Sequence, residues 1–177
     1  MGRIVSNFFM SLDGVVEAPD QWHMPYFNDE MGDAIGKGMA TNKAFLMGRV
    51  LYDERAGFWP NSDDDFATFF NNHPKYVVSN SLDRADWNNT TIVSGDVAQQ
   101  LRDLRDATDG DLSISGSATL VRSLLAEGLI DELRLLMHPI VVGHGQRLFE
   151  DGAPQPLELV ASETFSTGVL NLTYAPK

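Results

Sequence analysis

Between Asp111 and Ala126 the chain reads DLSISGSATLVRSLLA. An apolar run over Leu112–Ser115, a glycine at Gly116, and Leu120, Val121, Leu124 and Leu125 at helical spacing predict a buried strand that turns straight into a helix near Ser117. A helix starting there leaves its first backbone N–H groups unpaired, and Ser117 or Thr119 can offer them a hydroxyl. Glycine at the turn lets a second backbone or a phosphate come close, and the open helix end favours an anion. Two readings follow from this stretch alone. Either a phosphate-bearing cofactor sits over Gly116–Leu120, or the turn is packed and holds no ligand.

The whole chain narrows the field. Its 177 residues, 43% hydrophobic and 21% charged, are expected to fold as one globular domain, 1–177. No apolar run reaches membrane-spanning length and no charged-then-apolar leader is visible, so a cytoplasmic location is expected. The lack of cysteine excludes disulfides, thiolate catalysis and cysteine-based metal sites. A formal charge of −12, spread along the chain apart from Asp63–Asp65, repels nucleic acid and anionic membranes. An anionic ligand therefore needs a local basic site, and only 13 lysines and arginines can build one.

In chain order, Arg3–Met10 reads as a first strand, Ser11–Gly14 as a turn, and Val15–Pro25 as a loop carrying Trp22, His23 and Met24. A helix is expected over Asn28–Ala40, opening on Asp29, Glu30 and Asp33 as the helix dipole favours. Ala44–Met47 is a short buried strand, and Gly48-Arg49 opens a helix over Val50–Ala56. The strand–glycine–helix theme thus occurs twice, the second time with an arginine on the turn. Further expected elements are a surface helix over Asp63–Asn72, strands at Tyr76–Ser79 and Thr91–Val93, and an amphipathic helix over Gly95–Ala107. Asp131–Val142 reads as an apolar strand, and Leu157–Phe165 with Val169–Tyr174 as a hairpin. Strands alternating with helices predict an α/β fold whose mostly parallel sheet is covered on both faces, with antiparallel strands added by the hairpin.

Three segments in this order resemble one family. MGRVLYDE (Met47–Glu54), ISGSATL (Ile114–Leu120) and LIDELRLLMHPIVVGHGQRLF (Leu129–Phe149) are similar to the dihydrofolate reductase superfamily. The last segment, with SLDG (Ser11–Gly14), is closest to the reductase domain of bifunctional riboflavin-biosynthesis deaminase–reductases and their stand-alone relatives. No counterpart of the zinc-binding deaminase half occurs in these residues. The resemblance implies a three-layer dihydrofolate reductase-like fold with a sheet of about eight strands, binding NADPH across its carboxyl edges. It also implies hydride transfer to a C=N or C=O of a small heterocycle that is pterin-, pyrimidine- or flavin-precursor-like.

The resemblance carries over residue by residue. Gly48, Arg49, Val50 and Leu51 match one cofactor turn, where Arg49 can meet a ribose 2′-phosphate or instead pair with Asp53 or Glu54. Gly116, Ser117, Ala118, Thr119 and Leu120 match the pyrophosphate turn, with Ser117 where the family often has a second glycine. Ser79, Asn80 and Ser81 fall where the family places the adenosine 2′-phosphate, and their hydroxyl and amide groups equally suit a plain turn. Phe9, Val16 and Ile114 are expected around the nicotinamide. Asn7, Trp22, Met24, Tyr26 and Met137 are expected near the substrate, Trp22–Tyr26 as part of a lid. Glu30 and Asp29 are the expected proton donors, with Asp33 nearby. Met137 and Met31 stand where folate enzymes carry a pterin-contacting threonine and a carboxylate, which argues against dihydrofolate as substrate. Around His138 and His144 no acid–histidine spacing suggests a metal, His138 is expected to bond to backbone, and Asp13 is expected to cap a turn. A homodimer is plausible by the same resemblance. The alternatives are a non-catalytic nucleotide- or small-molecule-binding protein that keeps the cofactor fold, and a structural interaction domain.

Overall fold

The computed structural model describes residues 2–64 and 66–177. Eight strands form one sheet: β1 (Arg3–Ser11), β2 (Asn42–Gly48), β3 (Lys75–Val78), β4 (Thr90–Val93), β5 (Asp111–Ser115), β6 (Glu132–His138), β7 (Leu157–Thr164) and β8 (Leu170–Pro176). Their order is β4-β3-β2-β5-β1-β6-β8-β7, parallel through β6, with β8 antiparallel to both its neighbours. The helices are α1 (Asp29–Thr41), α2 (Arg49–Phe58), α3 (Ala67–Asn72), α4 (Val97–Ala107) and α5 (Ala118–Ala126). This is the three-layer α/β architecture expected from the sequence.

Side-chain alternation along the strands gives the two faces different chemistry. Ile4, Phe8, Leu46, Leu112, Ile114, Leu133 and Leu135 join Leu101 of α4 and Val121, Leu124 and Leu125 of α5 in the main core. The other face carries two smaller clusters. Phe45, Met47 and Val77 pack with Tyr52 of α2 and Trp87, while Met31 of α1 packs with Phe165, Val169, Phe9 and Leu136. Between these clusters Asn7, Ser113, Ser115, Arg134 and Thr173 line an open cleft instead of a core. Asn7 sits opposite Ser115 on one side and Arg134 on the other, so the register of the central strand composes this surface.

A charged network closes the amino-terminal end of the cleft. The Asp111 carboxylate, 2% exposed, accepts from Arg3 at 2.8 and 3.0 Å, from Thr41 Oγ1 at 2.8 Å and from Arg134 Nη2 at 3.4 Å. Glu132 accepts from both arginines as well. Charges this withdrawn persist only when paired on several sides.

Some boundaries differ from the sequence reading. β6 stops at His138, not Val142, because Pro139 has no N–H to continue the ladder. The following segment is instead tied to the Asp13 carboxylate, which accepts from the Ser11 hydroxyl and from the amides of Val142 and Gly143 at 2.6, 3.0 and 2.9 Å. Asp13 is thus the turn cap that the sequence suggested. α3 begins at Ala67, since Ser62 and Asp64 spend their side chains accepting the amides of Asp64 and Phe66 in a turn. Asp65, within the helix expected from Asp63, lies outside the described residues.

Candidate functional site

The two strand–glycine–helix units lie side by side, because β2 and β5 are neighbours in the sheet. The Gly48 amide donates to Ser117 Oγ at 2.9 Å. Gly116 has φ +91°, and a Cβ there would sit 3.1 Å from Leu51 Cδ2, so the turns meet through the only residue type that fits. Ser117 itself is left-handed at φ 52°, an uncommon state for a residue with a Cβ.

Neither helix start is capped by a side chain. The Gly48 cap of α2 and the Ser117 cap of α5 make no side-chain hydrogen bond to their helices, whereas Asn28 and Asp96 accept from Met31 N and Gln99 N at the starts of α1 and α4. Two uncapped helix amino termini, each with partial positive charge, therefore open onto one cleft. That cleft, about 950 Å³, is lined by Gly48–Leu51, Gly116–Leu120, Val16 and Phe9. Arg49 stands on its wall, with Nε 2.7 Å from the Asp53 carboxylate one turn along α2.

A second cleft, about 620 Å³, lies between α1 and the polar part of the sheet. Asn7, Phe9, Ser115 and Arg55 line both clefts and mark where they join. Phe45, Phe70, Ile35 and Met39 form apolar walls, while Asn42, Ser113, Asn171 and Thr173 contribute polar groups. Asn42 is 5% exposed and neither atom of its side-chain amide has a partner. Such a group is costly to bury unless something polar visits it.

Arg55 reaches across from α2 to donate from Nη2 to the Ser115 carbonyl at 3.0 Å, with Cζ 5.9 Å from the centre of the Phe70 ring. Burial lowers its guanidinium to about 10, which leaves it charged at neutral pH. Glu30 also lines this cleft, but its Oε2 accepts from the hydroxyl and amide of Ser166 at 2.6 and 2.8 Å and from Asn28 at 2.7 Å. Those hydrogen bonds, the Ser166 hydroxyl first, hold the Glu30 carboxyl below its usual range and favour the ionised form. Asp33 lines the same cleft; Asp29 is exposed and lines neither.

The remaining expected residues are placed as follows. Ile114 is wholly buried in the main core and lines neither cleft. Ser79 accepts the amides of Ser81 and Leu82, and Asn80 accepts that of Gly95; none of Ser79, Asn80 and Ser81 lines either cleft. Met137 packs against the main core, on the face opposite Arg134 and Leu136. Trp22 and Tyr26 pack edge-on against His138, with ring centroids at 5.3 and 5.6 Å, while Met24 is exposed. His138 is fully buried, donates from Nδ1 to the Leu136 carbonyl at 2.8 Å, and is kept neutral chiefly by burial. The loop after β1 is thus pinned to the end of β6 by an aromatic cluster, and its Val16–Asp20 portion borders the cleft at the two helix starts.

The sequence reading missed Arg55, Asn42, Ser113, Ser115, Arg134, Asn171 and Thr173. A signal was present for Ser113 and Ser115, whose polar side chains alternate with Leu112 and Ile114 in DLSIS.

Comparison with known proteins places this geometry in a family. The chain matches the RibD C-terminal domain over residues 3–171 and belongs to that family. An uncharacterised Bacillus subtilis protein, YyaP, is 26% identical over 181 residues, covering 97% of this chain and 94% of the relative. The fold is shared with a putative riboflavin biosynthesis protein from Shewanella sp. PV-4, at TM-score 0.81, 22% identity and 99% of both chains. It is shared also with dihydrofolate reductase from Enterococcus faecalis solved with NADP(H), at TM-score 0.67, 15% identity, and 99% and 96% of the two chains. Among the described residues no helix is long and apolar enough to cross a membrane, and no group of three His, Asp or Glu side chains is arranged to hold a metal ion.

Proposed function

We propose that the protein is an NADPH-dependent reductase that delivers a hydride to a C=N or C=O of a small heterocyclic substrate. The observation that carries this reading is the pair of uncapped helix starts, α2 and α5, joined by the Gly48–Ser117 hydrogen bond and opening on one cleft. In a chain of formal charge −12, that concentration of partial positive charge suits a pyrophosphate. Gly116 lies close against Leu51, so the two turns meet with no side chain between them at that point. Bound NADPH supplies the hydride from its nicotinamide ring.

The protein's own share is placement. Amides at the two helix starts hold the diphosphate, and Arg49 exchanges Asp53 for the 2′-phosphate. Asn7, Phe9 and Ser115, common to both clefts, set the nicotinamide edge against the acceptor. Loop residues Val16–Asp20, fastened by the Trp22–His138 contact, limit water at the junction. With Glu30 held ionised by Ser166, the proton comes from solvent water in the acceptor cleft.

The test is direct. NADPH should raise the melting temperature and quench protein fluorescence with a saturable isotherm, since a ligand at about a hundred times its dissociation constant adds about 2.7 kcal/mol. Absorbance at about 340 nm then identifies an acceptor among pterins, pyrimidines and flavin precursors. Absence of any NADPH or NADH stabilisation rejects the reading.

A further inference from the structure

Arg55 is the one charged residue common to both clefts. Of the five N–H donors of its guanidinium, one is spent, on the Ser115 carbonyl, and it forms no ion pair among the described residues. The other arginine of the acceptor cleft, Arg134, is by contrast already committed to Glu132 and Asp111. A withdrawn, charged fork with unspent donors is costly by itself and is suited to an oxyanion, which it can meet with two parallel hydrogen bonds. Its surroundings specify the shape that brings that oxyanion. Phe9, Phe45 and Phe70 wall the cleft with aromatic rings, and the unpaired amide of Asn42 offers both N–H donors and a carbonyl acceptor.

We infer that Arg55 is the anion-recognition residue of the acceptor cleft, and that the substrate is a flat polar ring carrying a carboxylate or equivalent anionic oxygen on the edge that faces the cofactor cleft. The assignment rests on the reductase reading for which cleft takes the acceptor, and on Arg55, at the junction of the two clefts, for the charge; Lys37 lines the acceptor cleft only. Glu54, next on the helix, lines the cofactor cleft and not this one. Glu30, Asp33 and Glu163 line the cleft as well. An anion bound in this cleft is therefore held by Arg55 against the general field of the protein.

Orotate and uracil, which differ by one carboxylate, are the probes. Calorimetric titration of each into the wild-type protein, with and without saturating NADPH, should show orotate binding at least about tenfold more tightly, as a charge-assisted hydrogen-bond pair warrants. Arg55→Met and Arg55→Gln should remove that preference, and Arg55→Lys should keep part of it. The two neutral variants guard against one failing to fold, which a ligand-free melting curve reports. The inference is overturned if wild-type protein shows no preference for orotate, or if the preference survives in a folded neutral variant. Failure of NADPH to bind wild-type protein defeats the reductase reading instead, because an Arg55-dependent orotate preference is still measurable without cofactor.

Discussion

The Gly48 amide donates to the Ser117 hydroxyl across 2.9 Å, and this single bond ties the start of α2 to the start of α5. It also accounts for Ser117 in a left-handed conformation that glycine would occupy more cheaply. Two opposing effects can therefore be separated by substitution. Ser117→Ala loses the hydroxyl and keeps the backbone strain, so it should destabilise the protein by about 1–2 kcal/mol. Ser117→Gly loses the hydroxyl but relieves the strain, and should cost less. Denaturant melts give both values, and a larger loss for glycine than for alanine would refute the account. Both variants should weaken NADPH, because the two helix starts are no longer held at a fixed separation.

Arg49 and Asp53 form an exposed pair one helical turn apart, at 2.7 Å. Such a pair contributes about 0.3–0.5 kcal/mol, whereas a guanidinium–phosphate hydrogen bond contributes about 1.5–3 kcal/mol, so a 2′-phosphate wins the competition. Arg49→Ala should accordingly weaken NADPH by about tenfold or more and NADH little. Asp53→Asn should tighten NADPH slightly by releasing the arginine. Equal losses for the two cofactors in Arg49→Ala would dismiss the 2′-phosphate role.

Asp13 provides a pH test. Hydrogen bonds from the Ser11 hydroxyl first, then from the amides of Val142 and Gly143, lower its carboxyl to about 2. A folded pKa below the unfolded value of about 3.9 means the native state favours the ionised form. Its contribution is complete above about pH 4 and is lost as pH falls toward 2. Asp13→Asn should therefore melt below wild type at pH 6, and the gap should close between pH 4 and pH 2. A gap that stays constant over that range contradicts the assignment.

Asp111→Asn probes the network that closes the acceptor cleft. The carboxylate is 2% exposed and receives two arginines and Thr41, so its removal takes away the buried acceptor on which a half-exposed Arg3 and a partly buried Arg134 converge. The expected loss is about 3 kcal/mol, at the low end for such a deletion because Glu132 still pairs with both arginines. Urea unfolding measures it. Unchanged stability would show that Glu132 alone balances Arg3 and Arg134.

The fold was legible because its signals are local and repeated. Leu120, Val121, Leu124 and Leu125 mark the buried side of α5 by spacing alone, and the glycine after each of β2 and β5 marks where a helix must turn away. The cleft at the two helix starts was legible for the same reason, since Gly48–Leu51 and Gly116–Leu120 are each contiguous in sequence. The acceptor cleft was not. Its polar residues come one or two at a time from β1, β2, β5, β6 and β8, and they converge only through strand register, as when Asn7 meets Ser115 and Arg134. Arg55 gave no local sign, because its withdrawal from solvent depends on Phe70 and Ser115, which are distant in sequence. The reading of Met137 as a substrate contact turned on one residue of alternation. Leu136 faces the acceptor cleft, and Met137 faces the main core.

The placement of β1 between β5 and β6 has a consequence for how the molecule is made. Arg3 pairs in register with Asp111, and Ser11 with His138, so the first strand synthesised must wait for more than half the chain before either flank is available. Closing loops of that length before any pairing rewards them slows folding, and leaves an apolar segment, RIVSNFFM, unprotected meanwhile. Nascent chains paused before the emergence of β5 should bind holdase chaperones through Ile4–Met10, and release from them should coincide with synthesis of β6.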